Sequence, residues 1–243
     1  MAGDRLFPVG HPAGKDDVVD REAFIDEVVT RLLSRNSVVL AAPRRVGKTS
    51  VAQEALQRQQ HTAYLFLGSQ ANLMAQLFGA RKQPFFRFGT WLDLPPVPDE
   101  AWRSFIRMRL SEHGIRIDDA GVDAILDYTG GHPSDTMEVA QESYLAARRR
   151  RLIDGHLARA ACAAVQERAA PLFDLEVDLA GPRARALLGR IANGQPLFEG
   201  ERSRDAPARA LRELARAGFV RRTGHGRYEI TEPMLAHHLR RPR

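Results

Sequence analysis

The stretch "SVVLAAPRRVGKTS", residues 37–50, constrains the fold more than any other part of the chain. "SVVLAA" is short, β-branched and uncharged, with no polar alternation, which suits a strand covered on both faces. "APRRVGKT" (42–49) then matches the pattern G-x-x-x-x-G-K-[ST], with Ala42 in the place of the first glycine. A buried strand that turns through glycine into a helix N-terminus gathers backbone N–H groups around one point, and such a point attracts phosphate. The candidate phosphate contacts are Arg44, Arg45, Val46, Gly47, Lys48, Thr49 and Ser50. Lys48 would reach the β/γ oxygens as a point charge, and Thr49 would offer its hydroxyl to Mg2+. At Gly47 a side chain would collide with phosphate. Ala42 adds one methyl at the entry of the loop, away from the phosphate, so binding is expected to survive it.

The rest of the chain divides by pattern. Residues 20–34 carry helical periodicity, with Phe24, Val28 and Leu32 beside Ile25, Val29 and Leu33. A helix is expected from Gly47 to about Gln60, a second buried strand at 62–68 ("TAYLFLG"), and a helix at "QANLMAQLFG". A third strand and its exit are expected at 85–94 ("FFRFGTWLDL"), stopped by Pro95, Pro96 and Pro98. From Asp99 the pattern becomes helical only. "PDEAWRSFIRMRLSEHG" has an acidic first turn and a glycine stop, and "DDAGVDAILDYTGG" has Asp118 or Asp119 as its cap. "HPSDTMEVAQESYLAARRRR" reads as a helix with arginines at its C-terminus, where they favour the dipole. Another helix covers about 154–168, and "PLFDLEVDLAGP" reads as a connector.

The last section reads helix ("PRARALLGRIANG"), helix ("DAPARALRELARAG"), then a hairpin around Gly224-His225-Gly226, the order of a winged helix-turn-helix. Leu211, Leu214 and Phe219 would form its small core. The expected fold class is α/β: a small parallel sheet with flanking helices over residues 1–96, an all-α lid over 97–170, and a winged helix over 171–243.

Charge is unevenly placed. Residues 181–243 carry 14 arginines against 6 acids, whereas residues 1–180 carry 22 basic and 24 acidic residues. A basic terminal module fits a polyanionic partner, and equally a solvated basic surface. If the hairpin is a wing, Arg209, Arg212 and Arg216 share one face of the recognition helix. With Arg221, Arg222 and Arg227 on the wing they are the candidate contacts to double-stranded DNA. The other use of such a module is as a relay or a surface for a protein client. One cysteine, Cys162, excludes an internal disulfide and suggests a reduced, cytoplasmic setting. No apolar run approaches the roughly 20 residues that span a bilayer.

Taken in order, these segments resemble the archaeal-type ATPases of the STAND/AAA+ branch of the P-loop NTPases, related to origin-recognition-like ATPases. "VVDREAFIDEVVTRL" is similar to the family's leading x-G-R-E segment, with Asp20 where glycine is usual and Arg21-Glu22 matching. "APRRVGKTS" is close to its phosphate loop (Walker A), and "AYLFLGSQANLMAQLF" looks like its first sensor strand. "TGGHPSDTMEVA" resembles its Gly-x-Pro lid segment, and "ALRELARAGFVRRTGHGRYEITEPML" its winged helix. The resemblance implies ATP or ADP with Mg2+. It implies Val18, Val19 and Arg21 near the adenine, Ser69 or Gln70 as γ-phosphate sensor, and His132 and Pro133 at the base or ribose. Apart from the resemblance, Gly131-His132-Pro133 reads as a turn opening a helix, and Ser69 as a cap.

The chain departs from the family between the phosphate loop and the sensor strand. Members place two strands and their helices there, one ending in the acidic pair of Walker B. Here only residues 50–61 intervene, and no apolar run ends in Asp-Glu. Neither Glu54 nor Asp93 is an evident substitute. A direct β-α-β crossover still allows a three-stranded parallel sheet, with the strand near 85–90 on the far side and an uncharged edge at "AYLFLG". That edge is a site for aggregation or homo-oligomerisation. The expectation is therefore a nucleotide-dependent regulatory switch with weak or absent hydrolysis. The alternative is a winged-helix DNA-binding protein whose P-loop portion is mainly structural, and a truncated, poorly soluble product is a third reading.

Overall fold

In a computed structural model, residues 6–8, 13–43, 45–58, 64–68, 74, 77–79, 81, 88–198, 205–224 and 226–240 are described. They fall into two compact units, Met1–Val165 and Gln166–Arg243.

The first unit is built on β1 (Val38–Ala41), whose four residues are all buried. It pairs in parallel with β2 (Leu65–Gly68) on one side and β3 (Thr90–Asp93) on the other, giving the order β2-β1-β3. Alternation along β1 sorts its side chains onto two faces. Val38 and Leu40 join Ile25, Val28 and Leu32 of α1 (Glu22–Leu33) and Val51 and Ala55 of α2 (Lys48–Gln57). Val39 and Ala41 meet Met74, Phe78, Phe66 and Trp91 on the opposite face. A strand with helical residues on both sides has no use for a polar position, which is why "VVLA" carries none.

β3 lies slightly later than expected. Residues 82–87 are outside the described residues, and Trp91 to Asp93, read as the strand's exit, are inside the strand. Gly89 permits the approach: a Cβ there would stand 2.7 Å from the Ser37 carbonyl oxygen, and the Thr90 N–H donates to that same oxygen at 2.7 Å. Among the described residues β2 pairs only with β1, and Leu67 on it is 40% exposed.

Beyond the prolines come α3 (Asp99–Glu112), α4 (Asp119–Thr129) and α5 (Pro133–Ala147). Asp118 is the cap of α4, accepting from the Gly121 N–H at 2.7 Å. Trp102 of α3 is buried and donates its indole N–H to the Gly131 carbonyl at 3.0 Å, tying α3 to the α4–α5 turn. Two expectations are corrected. The region is not helical only: β4 (Arg116–Ile117) and β5 (Leu152–Ile153) pair in parallel, at two residues each too short to show a strand period. The arginine run is not the end of a helix either. α5 stops at Ala147, and Arg151 has a positive φ of 59° where the chain turns into β5.

The expected connector at 171–182 is also corrected. α6 (Gly155–Leu179) runs through Pro171. Proline lacks the N–H and crowds the preceding turn, but Phe173 and Val177, one turn apart, are buried, and Phe173 rests 5.6 Å from the His238 ring. This packing outweighs the local preference. Gly181, at φ 92°, ends the run.

The second unit continues with α7 (Pro182–Ala192), α8 (Asp205–Ala217), the antiparallel hairpin β6 (Val220–Gly224) and β7 (Arg227–Ile230), and α9 (Pro233–Arg240). This is the expected winged-helix order with one further helix. Its core holds Leu187, Leu188, Leu211, Leu214, Val220 and Met234. Phe219, expected in that core, is only partly buried. Gly218 adopts φ 84° and lets the Phe219 N–H reach the Leu214 carbonyl, and the chain emerges with Val220 inward. Among the described residues no helix is long and apolar enough to cross a membrane.

Candidate functional site

At the C-terminal end of β1 the chain enters the loop that leads to α2. Arg45 and Gly47 both take positive φ, 61° and 92°. Left-handed residues in a tight turn bring successive backbone N–H groups to one side, the geometry of an anion-binding nest. Gly47 caps α2, so the dipole of that helix points at the same place. A Cβ on Gly47 would meet no protein atom within 4 Å, so the backbone angle is what calls for glycine in the protein itself.

The Lys48 ammonium donates to the Ala42 carbonyl at 2.7 Å and to that of Pro43. Thr49 is exposed, and Ser50 is buried with its Oγ accepting from the Ala13 N–H at 2.9 Å. Arg44 lies outside the described residues.

A cavity of about 500 Å³ opens beside the loop, a size typical of small-ligand sites. Arg45, Val46, Gly47, Lys48, Thr49 and Ser50 form one wall. Val18, Val19 and Arg21 form another, and Pro133 of α5 closes it from the helical region. His132 is not in the lining: it precedes α5, and its Nδ1 lies 3.2 Å from Asp135 Oδ1. Ser69 and Gln70 lie outside the described residues. The sequence reading did not point to Pro8, Ala13, Asp17, Val97, Trp102 or Met137, which also line the cavity. Their only local signal was the proximity of Asp17 to Val18 and of Val97 to the proline stop.

Arg21 is the most unusual group in the wall. It is 5% exposed, one Nη donates to the Pro95 carbonyl, and Nη2 is buried with no hydrogen-bond partner among the described residues. Burial lowers its pKa against the opposing pull of Asp20, and the guanidinium stays protonated all the same.

Carboxylates are sparse here. Among the described residues in the lining the one carboxylate is Asp17, and it is ion-paired with Arg109. Asp93 ends β3 opposite Ala41, is exposed, and accepts from the Trp91 indole N–H at 3.0 Å. Glu54 is buried in α2 with Arg58 4.0 Å away. Neither lines the cavity. Among the described residues no cluster of His, Cys, Asp and Glu could hold a metal by itself.

In the second unit, Arg209, Arg212, Arg216, Arg221, Arg222 and Arg227 are all exposed. Arg221 is ion-paired with Glu229 on the facing strand, and Arg222 donates to the Gly224 carbonyl at 3.0 Å.

Comparison with solved structures fits this architecture. The Walker-type ATPase PABY2304 of Pyrococcus abyssi superposes with a TM-score of 0.77 at 13% identity, over 97% of this chain and 99% of that one. A variant of RuvB from Thermotoga maritima superposes with a TM-score of 0.51 at 15% identity, over 96% and 97%. No protein-family model matches the sequence, and no curated protein sequence matches it. The chain thus has a P-loop ATPase fold of the AAA+-like kind.

Proposed function

We propose that the chain is an ATP-binding regulatory switch of the AAA+/STAND type with very slow or no hydrolysis. The observation that carries this reading is the loop at Arg45 to Thr49, with its two left-handed residues and its lysine. It forms one wall of a cavity whose other walls come from the segment before α1 and from the helical region. The triphosphate would take the N–H groups of the loop, with the Lys48 ammonium moving from the Ala42 and Pro43 carbonyls to its oxygens. Val18, Val19 and Pro133 would flank the base. Ser69 and Gln70 are proposed to sense the γ-phosphate.

For Mg2+, Thr49 fits as one oxygen ligand, the others coming from phosphates and water, because the lining's carboxylate is held by Arg109. The ion would supply charge neutralisation on the phosphates. Hydrolysis also needs a positioned water, and neither Asp93 nor Glu54 reaches the cavity lining, which supports a slow or absent reaction. The test is phosphate release by purified protein. Turnover that is fast and lost in Lys48→Ala would refute the non-hydrolysing part while keeping the binding part.

A second reading is favoured by the six exposed arginines of the winged unit: a DNA-binding protein whose P-loop portion is mainly structural. Neutralising phosphates makes affinity fall steeply with salt. DNA affinity that stays flat from low to high salt would count against it and favour a protein client.

A further inference from the structure

The residues ahead of α1 are fastened at three separate places. The N–H groups of Leu6 and Phe7 both donate to one acceptor, Gln141 Oε1 on α5, at 2.9 and 3.0 Å. Phe7 is 1% exposed, and its ring meets Phe105 of α3 edge-on with centroids 6.1 Å apart. The Ala13 N–H donates to Ser50 Oγ at 2.9 Å, in the first turn of α2 and next to Thr49. Asp17, on a short 3-10 turn at Lys15–Asp17, is ion-paired with Arg109 of α3. Between these fastenings, Pro8, Ala13, Asp17, Val18 and Val19 face the cavity.

We infer that residues 6–8 and 13–19 form a strap that couples the phosphate loop to the helical region and controls release of the ligand from the cavity. The identity of that ligand as a nucleotide rests on the reading above. One end of the strap hangs on a single side chain, because Gln141 Oε1 accepts both N–H groups. The other end hangs on Ser50, which moves with the first turn of α2 whenever phosphate engages the neighbouring N–H groups. Asp17 and Arg109 fix the middle to α3. A displacement at Ser50 is therefore felt at α5 through the strap, and by reciprocity loosening the strap at α5 weakens the hold on the ligand.

The test releases one end and reads the other. In Gln141→Leu two N–H groups lose their acceptor. Hydrogen exchange at the Ala13 amide is expected to accelerate about fivefold, the equivalent of one neutral hydrogen bond. Dissociation of a fluorescent ATP analogue is expected to accelerate by a similar factor. Gln141→Glu keeps an acceptor oxygen and is expected to behave as the parent protein. Should Gln141→Leu fail to fold, Phe7→Ala releases the same end, with the same expectations. Unchanged exchange at Ala13 in a folded release variant overturns the strap, whatever happens to nucleotide. A parent protein that does not bind the analogue overturns the nucleotide reading instead, and the Ala13 exchange still decides the strap.

Discussion

The Lys48 ammonium lies 2.7 Å from the carbonyl oxygen of Ala42, the residue that stands where this loop motif has its first glycine. Ala42 serves the loop entirely through its backbone, since its N–H donates to the Gly68 carbonyl at 3.1 Å and its carbonyl receives the lysine. The methyl is buried, and Ala42 is not among the residues with positive φ. Restoring the motif with Ala42→Gly is therefore expected to destabilise the protein by about 0.4–1 kcal/mol through unfolded-state entropy. Nucleotide affinity is expected to stay unchanged. Urea titration with a binding assay on the same sample checks both.

Gly47 presents the opposite case. Open space surrounds its missing Cβ, but its φ is 92°. Gly47→Ala should cost about 1–2 kcal/mol from the left-handed backbone alone, and Gly47→Asn less, because asparagine tolerates that region better. Equal costs for the two in chemical denaturation would mean that contacts, not the backbone angle, set the requirement.

Cys162 is 4% exposed, and burial pushes its thiol up to about 12. Thiolate is the reactive form, so at mildly alkaline pH the native protein should resist iodoacetamide and the denatured protein should react at once. Mass spectrometry of the two samples reads this directly, and rapid native labelling would show that this part of α6 opens easily.

Asp154 caps the start of α6, accepting from the Leu157 N–H at 2.8 Å, and that bond lowers its pKa from the model value of 3.8. The folded form is the stronger acid, so the cap's contribution is fully present above the unfolded value. It is lost as pH falls through the folded one. Asp154→Ala should therefore melt below the parent protein at neutral pH, and the gap should close in acid. A gap independent of pH would mean that the carboxylate charge is not what the helix end uses.

Much of this architecture was legible because single residues carry it. The uncharged run Val38 to Ala41 announces a central strand, and the parallel order β2-β1-β3 follows from the length of the one crossover helix. Gly194 and Gly218 announce helix ends, at φ 64° and 84°. What stayed hidden depends on partners far away in sequence. β4 and β5 exist only as a pair. Pro171 reads as a breaker until Phe173 and Val177 are seen to be buried. Trp102 and Asp17 reach the cavity only once α3 packs beside the loop, and no local pattern marks either of them as part of the site.

The central claim is that the loop at Arg45 to Thr49 holds a nucleoside triphosphate. Calorimetric titration of Mg-ATP into the parent protein and into Lys48→Ala tests it most directly. The expected result is saturable one-to-one binding that Lys48→Ala weakens by roughly 10- to 100-fold, the loss of a charge-assisted hydrogen bond. No heat of binding in a folded parent protein, or equal affinity in the two, would contradict it.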